Sequence, residues 1–236
     1  MTVAPAVVWS RVDGTTGPLV VLTHGWGDTS ATWDRQVAAL HPRARVVTWD
    51  LRGHGRSPAP DDPEAYSREV ALADLEALVG AGPAVLVGHS FGGQLSIAFA
   101  QRHPERVAGM GLIGTGPGYR DPDARAAWNR DVERRAAAEE RRGRRALAHA
   151  IRGFVAQHDA AVMDALPSIT VPTLVLVGAG DRGFLAAADY LHAKIAGSTR
   201  VVVPQAGHAV NQHQPGAVSC ALLDLLVRCT APSQGS

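Results

Sequence analysis

Residues 85–93 read Val-Leu-Val-Gly-His-Ser-Phe-Gly-Gly, and this stretch decides the fold. An apolar run leads directly into Gly88, and residues 94–102 follow with a helical pattern. A strand that passes through a tight Gly-x-Ser-x-Gly turn into a helix strains the backbone of the serine and exposes its hydroxyl at the helix N-terminus. The pattern therefore predicts that Ser90 is a nucleophile.

Short apolar runs on either side of this turn end in glycine, aspartate or proline. Such runs are typical of strands buried on both faces of a parallel sheet, and segments with helical spacing lie between them. The alternation predicts an α/β fold with a mostly parallel, doubly wound sheet. The predicted strands are residues 7–12, 19–23, 45–49, 85–87, 107–113, 173–177 and 200–203, and the predicted helices are 32–40, 67–79, 94–102, 185–196 and 217–227.

Length and composition exclude several classes of protein. The 236 residues suit one domain with at most a small insertion, and a hydrophobic content of 46% excludes disorder as the main state. A net charge of +1 argues against a nucleic-acid partner. No apolar run approaches the roughly 18 residues of a membrane span, no leader pattern is present, and the two cysteines lack zinc-site spacing. We expect a cytoplasmic protein that binds a small molecule and no metal, in an oligomeric state that the sequence does not reveal.

Residues 115–170 interrupt the alternation, because they contain no predicted strand. Between residues 120 and 145 this region holds nine Arg and six Asp or Glu. An unstructured loop of this length would be unusual in a compact domain, so helices are expected. Two interpretations stay open. The helices either cover the domain with a solvated face, or they form a cap over a pocket with Trp128, Val132 and residues 151–155 on the inner face.

Two further side chains supply what a serine nucleophile needs, a base and an acid that orients it. His208 follows the last predicted strand, and Asp181 follows the strand before it. Ligand sites of parallel sheets lie at the carboxyl ends of the strands, so both side chains are expected near Ser90. The chain order Ser, Asp, His is also the one expected for this turn. Ser90, Asp181 and His208 are the predicted catalytic residues.

An acyl-transfer site also needs N–H donors for the negative charge that develops on the carbonyl oxygen. One donor comes from the residue after the nucleophile and one from the loop after an earlier strand. The backbone N–H groups of Trp26 and Phe91 are therefore the predicted oxyanion hole. His24 and His54 are expected to bond to loop backbone rather than to act in catalysis.

These motifs together resemble the α/β-hydrolase-fold serine hydrolases. The resemblance implies a cofactor-free acyl-enzyme mechanism and a helical cap inserted after the sixth strand of the family's sheet. The N-terminus here reads one strand short, so this position follows the fifth predicted strand. The expected division is a core of residues 1–114 and 171–236 and a small cap of residues 115–170. The matching motifs are His24-Gly25-Trp26-Gly27, Asp50-Leu-Arg-Gly-His-Gly-Arg-Ser57, Gly88-His-Ser-Phe-Gly-Gly93, Gly178-Ala-Gly-Asp181 and Gly207-His208.

The resemblance implies cleavage of a carboxylic ester or lactone of a small, largely apolar molecule. Alternatives on the same triad are a C–C bond hydrolase, a thioesterase, a perhydrolase or acyltransferase, and a slow ligand-binding member of the fold. Dehalogenases and epoxide hydrolases of this fold carry Asp where Ser90 stands, so their reactions are not expected. The residues expected to line the substrate pocket are Gly25, Trp128, Phe154, Phe184 and Val210.

A dinucleotide site is the main competing interpretation. Gly25-Trp-Gly27 lies between a strand and a helix, and Asp50 stands where a ribose-binding acid would fall. Ser30 replaces the third glycine of that motif, however, and Trp26 is bulky inside the turn. This interpretation also leaves His208 unexplained, so no cofactor is expected.

Overall fold

The computed structural model describes residues 8–231, and its framework is a seven-stranded sheet of order β1-β3-β2-β4-β5-β6-β7. β1 runs antiparallel to β3, and every other neighbouring pair is parallel. The fold predicted from the sequence, a mostly parallel α/β sheet, is confirmed. The strands are β1 (Ser10–Asp13), β2 (Leu19–Thr23), β3 (Arg45–Trp49), β4 (Ala84–His89), β5 (Val107–Ile113), β6 (Thr173–Gly178) and β7 (Thr199–Val203).

Helices cover both faces of the sheet. α2, α3 and α7 pack on one face, and α1 and α9 pack on the other. Among the described helices, none is both long and apolar enough to cross a membrane. The helices are α1 (Asp34–Leu40), α2 (Arg68–Val79), α3 (Phe91–Arg102), α4 (Pro122–Arg141), α5 (Arg145–Ala150), α6 (Ala161–Ala165), α7 (Leu185–Lys194), α8 (Val210–His213) and α9 (Pro215–Thr230).

Strand β2 shows why uninterrupted apolar runs form this sheet. Leu19 and Val21 join the apolar cluster on one face, and Val20 and Leu22 join the cluster on the other. Successive side chains of a strand point to opposite faces, so a strand covered on both sides needs an apolar residue at each position. The sheet therefore separates two cores, and its carboxyl edge is left for polar groups.

Several predicted bounds shift in the structure. The first strand is Ser10–Asp13 instead of residues 7–12, because its register is set by pairing with residues 46–49 of β3. Residue 7 of that prediction lies outside the described residues. The helix after the Gly-x-Ser-x-Gly turn begins at Phe91 rather than at residue 94, directly behind the serine.

The region 115–170 follows β5 and is helical, as expected. It contains α4, α5, a π-helical turn at Ile151–Val155, and α6. Val132 and Ala136 of α4 pack on Ala148 and Ile151 in a small apolar cluster of their own.

The end of this region belongs to the main core instead. Val162, Ala165, Leu166 and Ile169 lie in the large apolar cluster on the α3 face of the sheet. The region 115–170 thus begins as a separate layer and ends as part of the domain core.

Candidate active site

Ser90 sits at a sharp turn between β4 and α3, with φ 53° and ψ −117°. This left-handed conformation is strained for a residue with a side chain, and such strain concentrates at functional sites. The main chain around it is fixed, because Ser90 N–H donates to Ile113 O at 2.9 Å and Thr115 Oγ1 donates to Ser90 O at 2.6 Å. A Cβ on Gly88 would overlap the backbone of Gly92, which is why the turn requires glycine there.

Asp181 and His208 meet beyond the ends of β6 and β7. The Nδ1–H of His208 donates to Oδ2 of Asp181 at 2.8 Å. Asp181 is buried, whereas the His208 side chain is 40% exposed. A carboxylate that accepts from Nδ1 orients the ring and leaves the Nε2 lone pair free to accept a proton. The structure therefore brings the two residues predicted as acid and base together in one hydrogen bond.

His89 connects the serine turn to the histidine loop. Its Nε2–H donates to the backbone oxygen of His208 at 2.9 Å, and the two ring centroids are 4.8 Å apart. Burial, reinforced by the nearby His208, lowers the pKa of His89 to about 4. His89 thus stays neutral at physiological pH and holds the loop of His208 next to the residue that precedes Ser90.

Two buried histidines hold the loop after β2. Leu51 N–H donates to Nε2 of His24 at 3.0 Å, and Gly27 N–H donates to Nε2 of His54 at 2.9 Å. Burial lowers the pKa of His24 and brings that of His54 to about 3, so both rings are neutral acceptors. Their bonds to loop backbone agree with the structural role expected from the sequence.

The backbone N–H groups of Trp26 and Phe91 have no acceptor among residues 8–231. Phe91 occupies the first turn of α3, where helix N–H groups lack an intrahelical partner. Gly25 brings the Trp26 loop close to Ser90, because a Cβ there would lie 3.0 Å from Ser90 Cβ. The Trp26 indole N–H donates to Leu147 O in α5 at 3.0 Å, which ties this loop to the helical region above it.

Most of the residues predicted to line a pocket lie around this site. The ring of Phe184 stacks on His208 with centroids 4.7 Å apart, and Phe184 and Trp128 line the same small cavity. Phe154 stacks on Phe91 at 5.1 Å and lines the neighbouring cavity. Val210 does not reach either cavity. Its side chain is fully buried in the apolar cluster on the α9 face, so its assignment to the pocket was wrong.

Sequence reasoning missed three polar residues near the site. Thr115 supports the carbonyl of Ser90, and Gln94 and Gln157 line both neighbouring cavities. Gln94 had one available signal, since it lies one helical turn after Ser90 and thus on the same side of α3. Gln157 and Thr115 carry no motif. No group of three or more His, Cys, Asp or Glu side chains in the described part of the chain is placed to hold a metal ion.

Comparison with known proteins places the chain in a family. A family model described as alpha/beta hydrolase fold matches residues 18–163, more than half of the chain. A protein of Bacillus subtilis named putative 2-succinyl-6-hydroxy-2,4-cyclohexadiene-1-carboxylate synthase is 26% identical, over 83% of this chain and 85% of its own length. The chain also matches several epoxide hydrolases, but it spans only 21 to 28% of their length.

Two solved structures are similar over nearly the whole chain. A thermophilic esterase from Thermogutta terrifontis has a TM-score of 0.82 at 28% identity, with 95% of this chain and 94% of that chain covered. The enol-lactonase from Burkholderia xenovorans LB400 has a TM-score of 0.76 at 28% identity, with 93% and 96% covered. The chain therefore belongs to the α/β-hydrolase fold family, and it is a hydrolase enzyme.

Proposed function

We propose that the protein cleaves a carboxylic ester or lactone of a small molecule through an acyl-enzyme on Ser90. The observation that carries this proposal is the His208–Asp181 hydrogen bond of 2.8 Å, on a loop that His89 joins to the strained serine turn at the N-terminus of α3. We further propose that residues 115–170 act as a cap, since Trp128 and Phe154 of this region line the cavities that adjoin the site.

In the proposed mechanism Ser90 Oγ attacks the ester carbonyl while His208 Nε2 takes the hydroxyl proton. Asp181 holds the imidazole in the required tautomer and stabilises the imidazolium. The N–H groups of Trp26 and Phe91 donate to the oxyanion of the tetrahedral intermediate. Collapse breaks the C–O bond, and His208 returns the proton to the leaving alcohol. Water, deprotonated by His208, then hydrolyses the acyl-enzyme, and the proton passes back to Ser90.

The comparisons support ester or lactone cleavage over the alternatives. The two solved structures named above are an esterase and an enol-lactonase, and each aligns over more than 90% of this chain. The epoxide hydrolases that match by sequence align with less than half of this chain, and Ser90 stands where an epoxide hydrolase of this fold would carry Asp. An aspartate nucleophile forms an ester with the substrate, whereas a serine forms an acyl-enzyme with a carbonyl substrate.

A synthase reaction is the second candidate, because the Bacillus relative aligns over 83% of this chain. The name of that relative specifies a product that carries carboxylates. The only Arg or Lys that lines the two cavities next to the site is Arg68, and it pairs with Asp159 at 2.5 Å. An already paired guanidinium is a weak carboxylate receptor, so this feature favours a neutral substrate.

A fluorophosphonate probe with peptide mapping tests the proposal, together with p-nitrophenyl esters of increasing acyl length. We expect the probe to label Ser90 and the short esters to turn over with a burst or a steady rate. The labelling should vanish in His208→Ala. A folded protein that is neither labelled at Ser90 nor active on any ester would contradict the proposed acyl-enzyme.

A further inference from the structure

Two neighbouring cavities lie between the core and residues 115–170. Their volumes are about 270 and 70 Å³. Four residues line both of them, so the cavities adjoin at these positions: Gln94, Pro117, Gly118 and Gln157. We call the two adjoining cavities together the glutamine cleft.

One end of the glutamine cleft lies next to His208. Phe184 lines this end and stacks on the imidazole of His208. Gln94 lies one helical turn after Ser90 on α3, and its backbone nitrogen lies 3.4 Å from Ser90 O. A substrate whose carbonyl reaches Ser90 would extend an arm past Phe184 into this cleft.

The two glutamines each have one end of the amide fixed. Gln94 Nε2 donates to Gly116 O at 2.9 Å, and Gln157 Oε1 accepts from Tyr119 N–H at 3.0 Å. The opposite ends, Oε1 of Gln94 and Nε2 of Gln157, have no protein partner within residues 8–231. The cleft thus offers one free acceptor and one free donor on side chains that are already oriented.

The charges around the far end of the cleft are compensated. Arg68 pairs with Asp159 at 2.5 Å, and Glu69 pairs with Arg102 at 2.5 Å. A substrate carboxylate would have to compete with Asp159 for the only guanidinium that lines the cleft. An alkyl arm would leave the free ends of Gln94 and Gln157 without partners after it displaced water, which costs binding energy.

We propose that the glutamine cleft binds a substrate arm that carries an alcohol hydroxyl. The hydroxyl donates to Oε1 of Gln94 and accepts from Nε2 of Gln157. This inference rests on the proposed ester cleavage at Ser90, and it replaces the largely apolar substrate expected from the sequence with a hydroxylated one. Gln94 and Gln157 are then specificity-determining residues.

The test compares p-nitrophenyl esters of hexanoate, 6-hydroxyhexanoate and mono-adipate, with the matching four-carbon set to allow for the length of the arm. One neutral hydrogen bond is worth about a fivefold effect, so we expect kcat/KM to favour the better hydroxy ester over its alkyl partner by about five- to tenfold. The carboxylate ester should be the poorest of the three.

Variants assign this preference to the two amides. Gln94→Leu and Gln157→Leu should bring the hydroxy-to-alkyl ratio close to one. Gln157→Glu keeps an oxygen for Tyr119 N–H and replaces the free donor with a charged acceptor oxygen. The hydroxyl then loses the bond that it accepts, so the same ratio should fall while that loop is undisturbed. Gln101→Leu is the matched control, because Gln101 is an exposed glutamine on the same helix and lies outside the glutamine cleft.

Binding to Ser90→Ala separates this inference from the catalytic proposal. Calorimetric titration with methyl 6-hydroxyhexanoate and methyl hexanoate measures the cleft without turnover. Tighter binding of the hydroxy ester that depends on Gln94 supports the cleft, even if the wild type hydrolyses no ester and the acyl-enzyme proposal fails. Equal binding of the two esters, a preference for the alkyl or carboxylate ester, or no binding of either one overturns the inference.

Discussion

The sheet core and the helical region 115–170 are held together by different forces. Every residue of β2, β4 and β6 is buried, and main-chain ladders join these strands. The twenty residues of α4 bury only Val132, Ala136 and Glu139. Ion pairs fix much of the rest of the region, such as those of Arg152 with Glu133 and Glu140.

This difference teaches which parts of the site are rigid and which can adapt. Ser90, Asp181 and His208 all follow strands of the core, so their geometry depends on apolar burial and backbone hydrogen bonds. Residues 122–160 touch the core through local side-chain contacts, whereas residues 161–169 belong to the core itself. The local contacts include the Trp26 indole on Leu147, Phe154 on Phe91, Gly153 on Tyr66, Arg68 on Asp159 and Arg145 on Asp61. We expect catalytic power to depend on the core and substrate choice to depend on these contacts.

The largest effect on turnover should come from a substitution at the core's edge that leaves the fold intact. Ser90→Ala removes the nucleophile and should lower kcat by about 10⁴- to 10⁶-fold. The temperature of thermal unfolding should change little, because the substitution removes one hydroxyl group and no backbone contact. The control is Ser219→Ala, a buried serine on α9 far from the site, which should retain full turnover. Near-normal turnover by Ser90→Ala would refute the mechanism.

Acid should weaken the core before it weakens the helical region. His54 and His89 have a pKa of about 3 and about 4 when folded, against about 6.5 when unfolded. Below pH 6.5 these two histidines bind protons in the unfolded chain but not in the folded chain. The free energy of unfolding is therefore full above pH 6.5 and declines as the pH falls toward 4. At pH 5 each ring should cost about 2 kcal/mol of unfolding free energy.

Urea unfolding at pH 7.5 and pH 5.0 measures this loss. His54→Gln removes one of the two rings, so it should remove about half of their joint contribution to this loss. His158 is exposed, and His158→Gln should leave the loss unchanged. The ion pairs of region 115–170 should survive at pH 5, because the hydrogen bond from Arg152 holds the pKa of Glu133 below its usual range. Protease cleavage within residues 122–155 that increases before global unfolding begins would contradict this order.

Two glycines allow the same substitution to be compared in the two regions. A Cβ at Gly88 would overlap the backbone of Gly92 within the nucleophile turn. Gly88→Ala should therefore cost about 3 kcal/mol of stability and abolish labelling of Ser90 by a fluorophosphonate. Full stability together with full labelling would show that the turn does not require glycine.

Gly153→Ala makes the corresponding change where region 115–170 touches the core. A Cβ there would overlap the carbonyl oxygen of Tyr66, so the π-helical turn must move away from the segment that precedes α2. We expect KM for esters to rise about tenfold while Ser90 is still labelled and the main unfolding transition is retained. Enzyme kinetics and calorimetry check this result. A protein that loses its main unfolding transition would mean that the two regions are not separable.

The smallest effect on turnover should come from loss of the hydrogen bond between the Trp26 indole and Leu147, which joins the two regions. Trp26→Phe keeps an aromatic ring and removes only the indole N–H that donates to Leu147 O. Because the backbone of Trp26 is a proposed oxyanion donor, kcat should fall about tenfold with little change in KM. Arg145→Gln removes an exposed contact between the two regions away from this loop and is the control. An equal fall of kcat in both variants would assign the effect to general loosening of the region.

The core, and the placement of Ser90, Asp181 and His208 after its strands, were predictable because their signals are local. Uninterrupted apolar runs fix the strands, and the residues that end them fall at one edge of the sheet. The position of Val210 was not predictable, because the loop after His208 enters α8 at once and turns that side chain into the opposite core. Gln94 and Gln157 line the same two cavities only because region 115–170 folds over α3. Side chains brought together by such tertiary contacts leave no periodic pattern in the sequence.

Region 115–170 connects β5 to β6, which are parallel neighbours in the sheet. This position limits which parts of the region can be replaced in enzymes of this fold. The chain leaves the carboxyl end of β5 at Ile113 and must return to begin β6 at Thr173, which pairs with Met110 in the middle of β5. α6 belongs to the crossover that leads back to the start of β6, and its residue Val162 lies in the main core. Exchange of segments between relatives can therefore replace residues 115–160 and alter the roof of the pocket. An exchange or deletion that extends through α6 would remove the crossover that the next strand needs in order to pair.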